Sequence, residues 1–342
     1  MSDKRGILER LETGVVLGAE GYVFELERRG YVQAGPYVPE VVLEQPEAVK
    51  ALHREFLNAG AEVMVALTYY AHREKMKAIG REGELGMLNR QALRLAREVA
   101  AEGDALVAGN LSNTWVYDHN RPEETAKIVR GMFEEQVGWA VEEGADFVIA
   151  ETLDYVAEGL IALEVIQAAG LPAMITFGSV RDDTKDGYSL LEACRIAAGQ
   201  GAEIVGLNCS RGPGTMLPLI AQIREAVDCH VAAQPVAYRT TEAQPTFQAL
   251  KEESGERGFP IALDPFQTTR FEMADFARRA QEMGVEFIGT CCGAAPHHVR
   301  SMAEALGRTV PASRYSPDMS MHPMLGAHVQ ERDESFLEDW KD

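Results

Sequence analysis

Cysteine is scarce in this chain. Five thiols in 342 residues, an odd number, argue against a disulfide framework and for a reducing compartment. No C-x-x-C pair occurs, so the short thiolate loops usual in a structural zinc module are missing. Positive charge is also in deficit. Against 53 aspartates and glutamates stand 33 lysines and arginines, a net charge of -20, with no concentrated basic patch. Nucleic acid and anionic membrane surfaces are therefore disfavoured as partners. No apolar run is long enough to span a bilayer. The opening MSDKRGILERLETG has no apolar segment of a signal peptide. The expectation is a cytoplasmic protein that acts on small molecules.

What is present is an alternation. Short apolar runs of strand length alternate with longer amphipathic stretches that end in glycine. TGVVLGAEG comes first, followed by the helical QPEAVKALHREFLNAG, whose Val49, Leu52, Phe56 and Leu57 share one face and which Gly60 stops. AEVMVALTYY reads as the second strand. DALVAGNLS, ADFVIAET, LPAMITF, AEIVGLNC, HVAAQPV and VEFIGTCC continue the series, with helical stretches between them. About eight βα cycles are the count of a (β/α)8 TIM barrel. Near-continuous apolar strands fit parallel strands buried on both faces. A doubly wound open sheet is the competing arrangement, but no break suggests a second domain. The pattern predicts a barrel over 1–309 and a Pro- and Met-rich, then acidic, C-terminal tail over 310–342.

In such barrels, function sits at the C-terminal ends of the strands. That rule sorts the thiols. Cys209 closes the sixth strand, and Cys291 and Cys292 close the eighth. Cys194 lies on the apolar side of a helix and Cys229 precedes the seventh strand, so both are assigned to packing. Two adjacent cysteines alone also fit as small core fillers. Three thiols converging on one mouth favour a metal. Thiolates suit zinc, and three protein ligands leave a fourth position for substrate. A metal held this way keeps a bound thiol as its thiolate, an activated nucleophile whose natural target is a methyl group on a cationic donor.

The strand end GLNC and the turn GTCCG resemble the homocysteine S-methyltransferase family, in particular its betaine–homocysteine branch. YVFELERRGYVQAGPYVPE, AEGDALVAG, DFVIAE, QPVAYRT and FIGTCCGAAPHHVRSMAEAL carry the same likeness, which runs from about residue 13 to about residue 309. The resemblance implies a (β/α)8 barrel with Zn2+ held by Cys209, Cys291 and Cys292. It implies that Glu151 recognises the amino group of homocysteine. Tyr37 stands where betaine methyltransferases carry a tryptophan facing the quaternary ammonium, and Tyr70 matches a tyrosine of that site. Tyr69 is a further aromatic wall, because aromatic faces attract ammonium and sulfonium cations. Asn208 and Gln234 end their strands near this mouth and fit either a polar site role or a structural one. His72 fits a contact to a donor carboxylate or a simple loop position. His297 and His298 open the last helix.

The departures concern the amino-acid end of the acceptor. The family's acidic D-G pair is here Ala19-Glu20, so Glu20 is placed to replace the lost acid from the next position. The polar pair after the second strand is here Val65-Ala66, and Thr290 replaces the second glycine before the cysteines. The expected activity is zinc-dependent transfer of a methyl group from a betaine-like or sulfonium donor to a thiolate, homocysteine giving methionine. Glu151 and Tyr70 are the candidate catalytic residues. The open alternatives are a different thiol acceptor, a zinc-bearing protein that only binds a betaine-like ligand, and a metal-free barrel enzyme using Glu151 and Glu20. The tail resembles the start of the arm that joins subunits in betaine methyltransferases, which implies a homo-oligomer.

Overall fold

The computed structural model describes residues 4–323 and 326. Eight parallel strands build one sheet. They are β1 Val16–Leu17, β2 Val63–Val65, β3 Leu106–Ser112, β4 Phe147–Leu153, β5 Ala173–Phe177, β6 Ile204–Asn208, β7 His230–Gln234 and β8 Phe287–Ile288. The hydrogen-bonded order is β1-β8-β7-β6-β5-β4-β3-β2. The two ends then meet. Glu62 N donates to Leu17 O at 2.8 Å, and Gly18 bridges to Val63 in parallel, so the sheet returns on itself as a barrel.

Each strand is followed by a helix that covers it. These helices are Pro46–Asn58, Leu85–Ala100, Pro122–Glu142, Val156–Ala168, Leu190–Gly199, Pro213–Ala226, Arg270–Glu282 and Pro296–Ala305. The strands are buried over almost their whole length, as their unbroken apolar runs require. Gly206 shows how tightly the barrel is drawn: a Cβ there would lie 1.9 Å from Ala232 O on the neighbouring strand. Leu190–Gly199 and Arg270–Glu282 begin with capping boxes. Ser189 and Thr269 accept from the N–H groups of Glu192 and Glu272, whose carboxylates accept in return from the Ser189 and Thr269 N–H groups.

Three strands are shorter than the apolar runs predict. β1, β2 and β8 stop after two or three residues, and the rest of each run leaves the ladder to line the barrel mouth. β4 runs on past Glu151 to Leu153, with a register shift between Ala150 and Leu153. Such irregularities re-aim side chains beside functional sites. Two short helices, Tyr22–Arg28 and Arg73–Ala78, follow β1 and β2. Between β7 and its helix a long connection crosses the mouth with the 3-10 turns Phe247–Ala249 and Asp264–Phe266.

The start of the tail packs on the barrel through the turn Pro311–Tyr315. There Ala312 O accepts from Arg300 Nη1 at 3.4 Å, and Ser316 Oγ donates to Glu304. Most of the expected subunit-joining extension lies outside the described residues. Among the described residues, no helix is long and apolar enough to cross a membrane.

Candidate active site

A cavity of about 340 Å³ opens at the C-terminal end of the barrel. Cys209, Cys291 and Cys292 all line it, as the strand-end rule predicts. Cys209 Sγ lies 3.7 Å from Cys292 Sγ, and Cys291 Sγ lies 3.9 Å from Cys292 Sγ. All three sulfurs fall within 4.8 Å of one another. Zinc–sulfur bonds of about 2.3 Å in a tetrahedron require sulfur–sulfur edges of about 3.8 Å. The soft donor set and this spacing therefore fit zinc. The trio does not behave as three ordinary thiols. Hydrogen bonding from Cys291 and Cys292 pulls Cys209 down to about 5, and in exchange Cys291 and Cys292 are held well above the thiol range. One negative charge is already favoured on the cluster. Cys194 and Cys229 lie away from it. Cys194 donates to Gly206 O at 3.6 Å, and its thiol is pushed up by burial.

Backbone geometry aims these residues. Cys209 and Ser210 have φ of 57° and 53°, so the chain turns sharply as it leaves β6. Asn208, fully buried, braces that turn. Its Nδ2 donates to Glu151 Oε2 and to Thr152 Oγ1, both at 2.7 Å, and its Oδ1 accepts from Thr152 N at 2.7 Å and Thr176 Oγ1 at 2.9 Å. Asn110 Nδ2 holds the other oxygen of Glu151 at 2.5 Å. Glu151 is thus clamped by two amides, beside the sulfurs.

Glu20 joins it. Glu20, Glu151 and Cys291 each offer an atom within 4.8 Å of the others, and both carboxylates line the cavity while being only 4% exposed. Glu20 Oε1 is buried with no hydrogen-bond partner. Burial pushes Glu20 up to about 7, and burial together with the Glu20 charge holds Glu151 well above the usual range. Like charges this close cannot both ionise cheaply, so the pair invites a cationic group between its members. Thr290 fastens the arrangement: its hydroxyl lies 3.1 Å from Glu20 O and 3.3 Å from Glu20 N.

The aromatic residues form the walls. Tyr37, Tyr69 and Tyr70 line the cavity, with the Tyr69 and Tyr70 ring centroids 4.4 Å apart. Burial pushes Tyr70 up to about 12 and raises Tyr69 well above the ordinary phenol value, so both remain phenols. Val65 and Ala66 supply an apolar wall. Gln234 and His72 are buried, but neither lines the cavity. His298 caps the last helix, accepting at Nδ1 from Ala295 N at 3.1 Å. Among the lining residues that went unnoticed in the sequence are Trp115, Asn110, Phe247 and Phe259. Trp115 follows β3 directly, so applying the strand-end rule to SNTW would have found it.

The fold and site define a (β/α)8 barrel enzyme with a three-thiol floor, an acidic pair and aromatic walls, the plan of a thiol-directed methyltransferase. A family model described as homocysteine S-methyltransferase matches residues 20–306. A betaine–homocysteine S-methyltransferase of Danio rerio is 41% identical over 315 residues, covering 90% of this chain and 76% of its own. An S-methylmethionine–homocysteine S-methyltransferase of Pongo abelii is 37% identical over 315 residues, covering 89% and 82%. The metallated form of the homocysteine methyltransferase MmuM from Escherichia coli shares the fold, with a TM-score of 0.67 and 20% identity over 85% of this chain and 96% of that one. The chain belongs to the homocysteine S-methyltransferase family.

Proposed function

We propose that this chain is a zinc-dependent S-methyltransferase that moves a methyl group from a small cationic donor to a thiolate, with homocysteine as acceptor and methionine as product. The observation that carries the reading is the thiol triad. Its sulfur–sulfur distances of 3.7 and 3.9 Å suit zinc, and it faces a cavity with an acidic pair and aromatic walls. Bound zinc would supply a Lewis acid that keeps the acceptor sulfur deprotonated at neutral pH. Cys209, Cys291 and Cys292 would hold it.

The chain's other residues orient and enclose. On this reading Glu151, clamped by Asn110 and Asn208, and Glu20 beside it would take the acceptor's ammonium. Tyr37, Tyr69 and Tyr70 offer faces to the donor cation. The acceptor sulfur forms a bond to the methyl carbon while the onium–methyl bond breaks. The electron pair of that bond stays on the departing amine or sulfide, which leaves neutral and needs no general acid. Holding sulfur and methyl in line within a partly closed, apolar cavity is the protein's main contribution. The apolar Val65 and Ala66 favour a second reading, in which the same transfer serves a thiol other than homocysteine.

The test pairs metal content with turnover. Purified chain should carry about one zinc and methylate homocysteine from trimethylglycine or a sulfonium donor. Cys291→Ala should lose both. A Cys291→Ala protein that keeps its zinc and full turnover would sink the assignment. Turnover restricted to other thiols would select the second reading.

A further inference from the structure

The cavity floor holds more hydrogen-bond acceptors than the chain satisfies. Glu20 Oε1, Asn110 Oδ1 and Asn113 Oδ1 are buried without a hydrogen-bond partner, and all three residues line the cavity. The two asparagines are held in that orientation. Asn110 Nδ2 donates to Glu151 Oε1 at 2.5 Å, and Asn113 Nδ2 donates to Asp154 Oδ2 at 3.3 Å. Each amide thus turns its N–H side to a carboxylate and leaves its oxygen unmet. One more donor is already engaged: Glu20 N lies 3.3 Å from the Thr290 hydroxyl.

Charge points the same way. Glu20, Glu151 and Asp154 line the cavity, and among the described residues no lysine, arginine or histidine does. Asp154 is paired with Lys185 at 2.7 Å. Glu20 and Glu151 offer oxygens within 4.8 Å of each other, and neighbouring parts of the wall are Val65 and Ala66, which carry no polar side-chain atom. An ammonium brings three donors and no acceptor, whereas a carboxylate brings acceptors only. In homocysteine both groups sit on one carbon. An ammonium seated on Glu20 and Glu151 therefore carries the carboxylate into buried, acidic and apolar surroundings with no cation to meet it, and that weakens binding.

We propose that this chain recognises its thiol acceptor by the ammonium alone, and that its preferred acceptors are aminothiols whose carboxylate is absent or masked. The inference rests on the methyl transfer proposed above and gives chemical content to its second reading. Glu20 is the specificity-determining residue: it adds a second acid for the ammonium and repels an acceptor carboxylate. The transfer keeps its balance. The thiolate sulfur takes the methyl group, the onium leaves neutral, and the acceptor's ammonium keeps its protons.

The experiment uses full-length, zinc-loaded protein and three thiols built on the same carbon chain. They are homocysteine, 3-aminopropanethiol, which lacks the carboxylate, and 4-mercaptobutanoate, which lacks the ammonium. Calorimetry reads binding without a donor, and steady-state kinetics with trimethylglycine or a sulfonium donor read transfer. 3-Aminopropanethiol should bind about tenfold more tightly than homocysteine, as relief of a like-charge contact allows, with the higher kcat/KM. 4-Mercaptobutanoate should be the weakest of the three. Glu20→Gln should weaken 3-aminopropanethiol about tenfold, as loss of a charge-assisted contact does, and homocysteine less, so that the two draw together. Homocysteine bound as tightly as 3-aminopropanethiol, or more tightly, overturns the inference. So does an equal loss for both amines in Glu20→Gln, or a wild-type chain that binds none of the three. The wild-type series decides the matter even where the variant fails to fold. If the order holds in calorimetry but no thiol is methylated, the transfer reading falls alone. If transfer proceeds with homocysteine ahead, the acceptor inference falls alone.

Discussion

At the scale of single residues, Asn208 concentrates more of the site than any thiol. It is fully buried and makes four bonds of 2.7–2.9 Å that tie β4, β5 and β6 together beside the cysteines. Asn208→Ala removes a donor from Glu151 and strands the Thr152 N–H. Leaving such buried groups unpaired costs about 1–3 kcal/mol each. We expect that variant to lose about 2–4 kcal/mol of stability and to raise the acceptor KM more than it lowers zinc content. Urea unfolding, KM and metal analysis check this, and an unaltered KM in a folded variant counts against Glu151 as the acceptor's contact. The sequence made the positions of Cys209, Cys291, Cys292, Glu151 and Tyr70 legible because each ends or follows an apolar strand. Asn208 was visible but ambiguous, since strand ends need polar residues for structural reasons too. Asn110 was hidden inside the run ALVAGNLS, whereas Trp115, just past that run, was within reach of the strand-end rule.

At the scale of elements, the turn from β1 into Tyr22–Arg28 and the turn after β8 are fitted to each other. Gly21 has φ +105°, and a Cβ there would lie 2.6 Å from Cys291 O. Alanine at 21 therefore adds a collision with the cysteine turn to the cost of a left-handed backbone. Gly30 supplies the control, with φ +80° and nothing within 4 Å of its added Cβ. Both Gly→Ala changes should destabilise by roughly 1 kcal/mol through the backbone. Only Gly21→Ala should also weaken zinc, and chelator competition should show a loss of about tenfold or more, as for disturbed ligand support. Equal zinc affinity in the two variants would disprove the coupling. The strands and their covering helices were legible from periodicity, but the ends of β1, β2 and β8 were not. Apolar residues that line a cavity and apolar residues that pair in a sheet look alike in one dimension. The long connection after β7 was equally opaque, because it contributes Phe247 and Phe259 from a stretch with no regular period.

At the scale of the whole molecule, buried histidine sets a limit that sequence could not show. His53, on the helix Pro46–Asn58, is fully buried, lies 4.7 Å from the Tyr22 ring, and has no hydrogen-bond partner on either nitrogen. Burial pulls it down to about 3 from an ordinary 6.5. The folded chain therefore holds it neutral, while the unfolded chain protonates it below 6.5. Its contribution to stability is full above pH 6.5 and falls as the pH drops towards 3, by about 1.4 kcal/mol per pH unit. Glu20 has the opposite sign, because its folded value of about 7 lies above its ordinary 4.5. Protonating it favours the fold as the pH falls from 7 to 4.5, so the overall acid limb mixes both effects. A difference between two proteins isolates the histidine. His53→Phe keeps an aromatic ring beside Tyr22 and removes the titration. Against wild type it should gain about 2 kcal/mol of relative stability between pH 7.5 and pH 5, measured by urea unfolding at both pH values. Parallel stability curves for the two proteins would mean that His53 finds a proton partner in the folded chain.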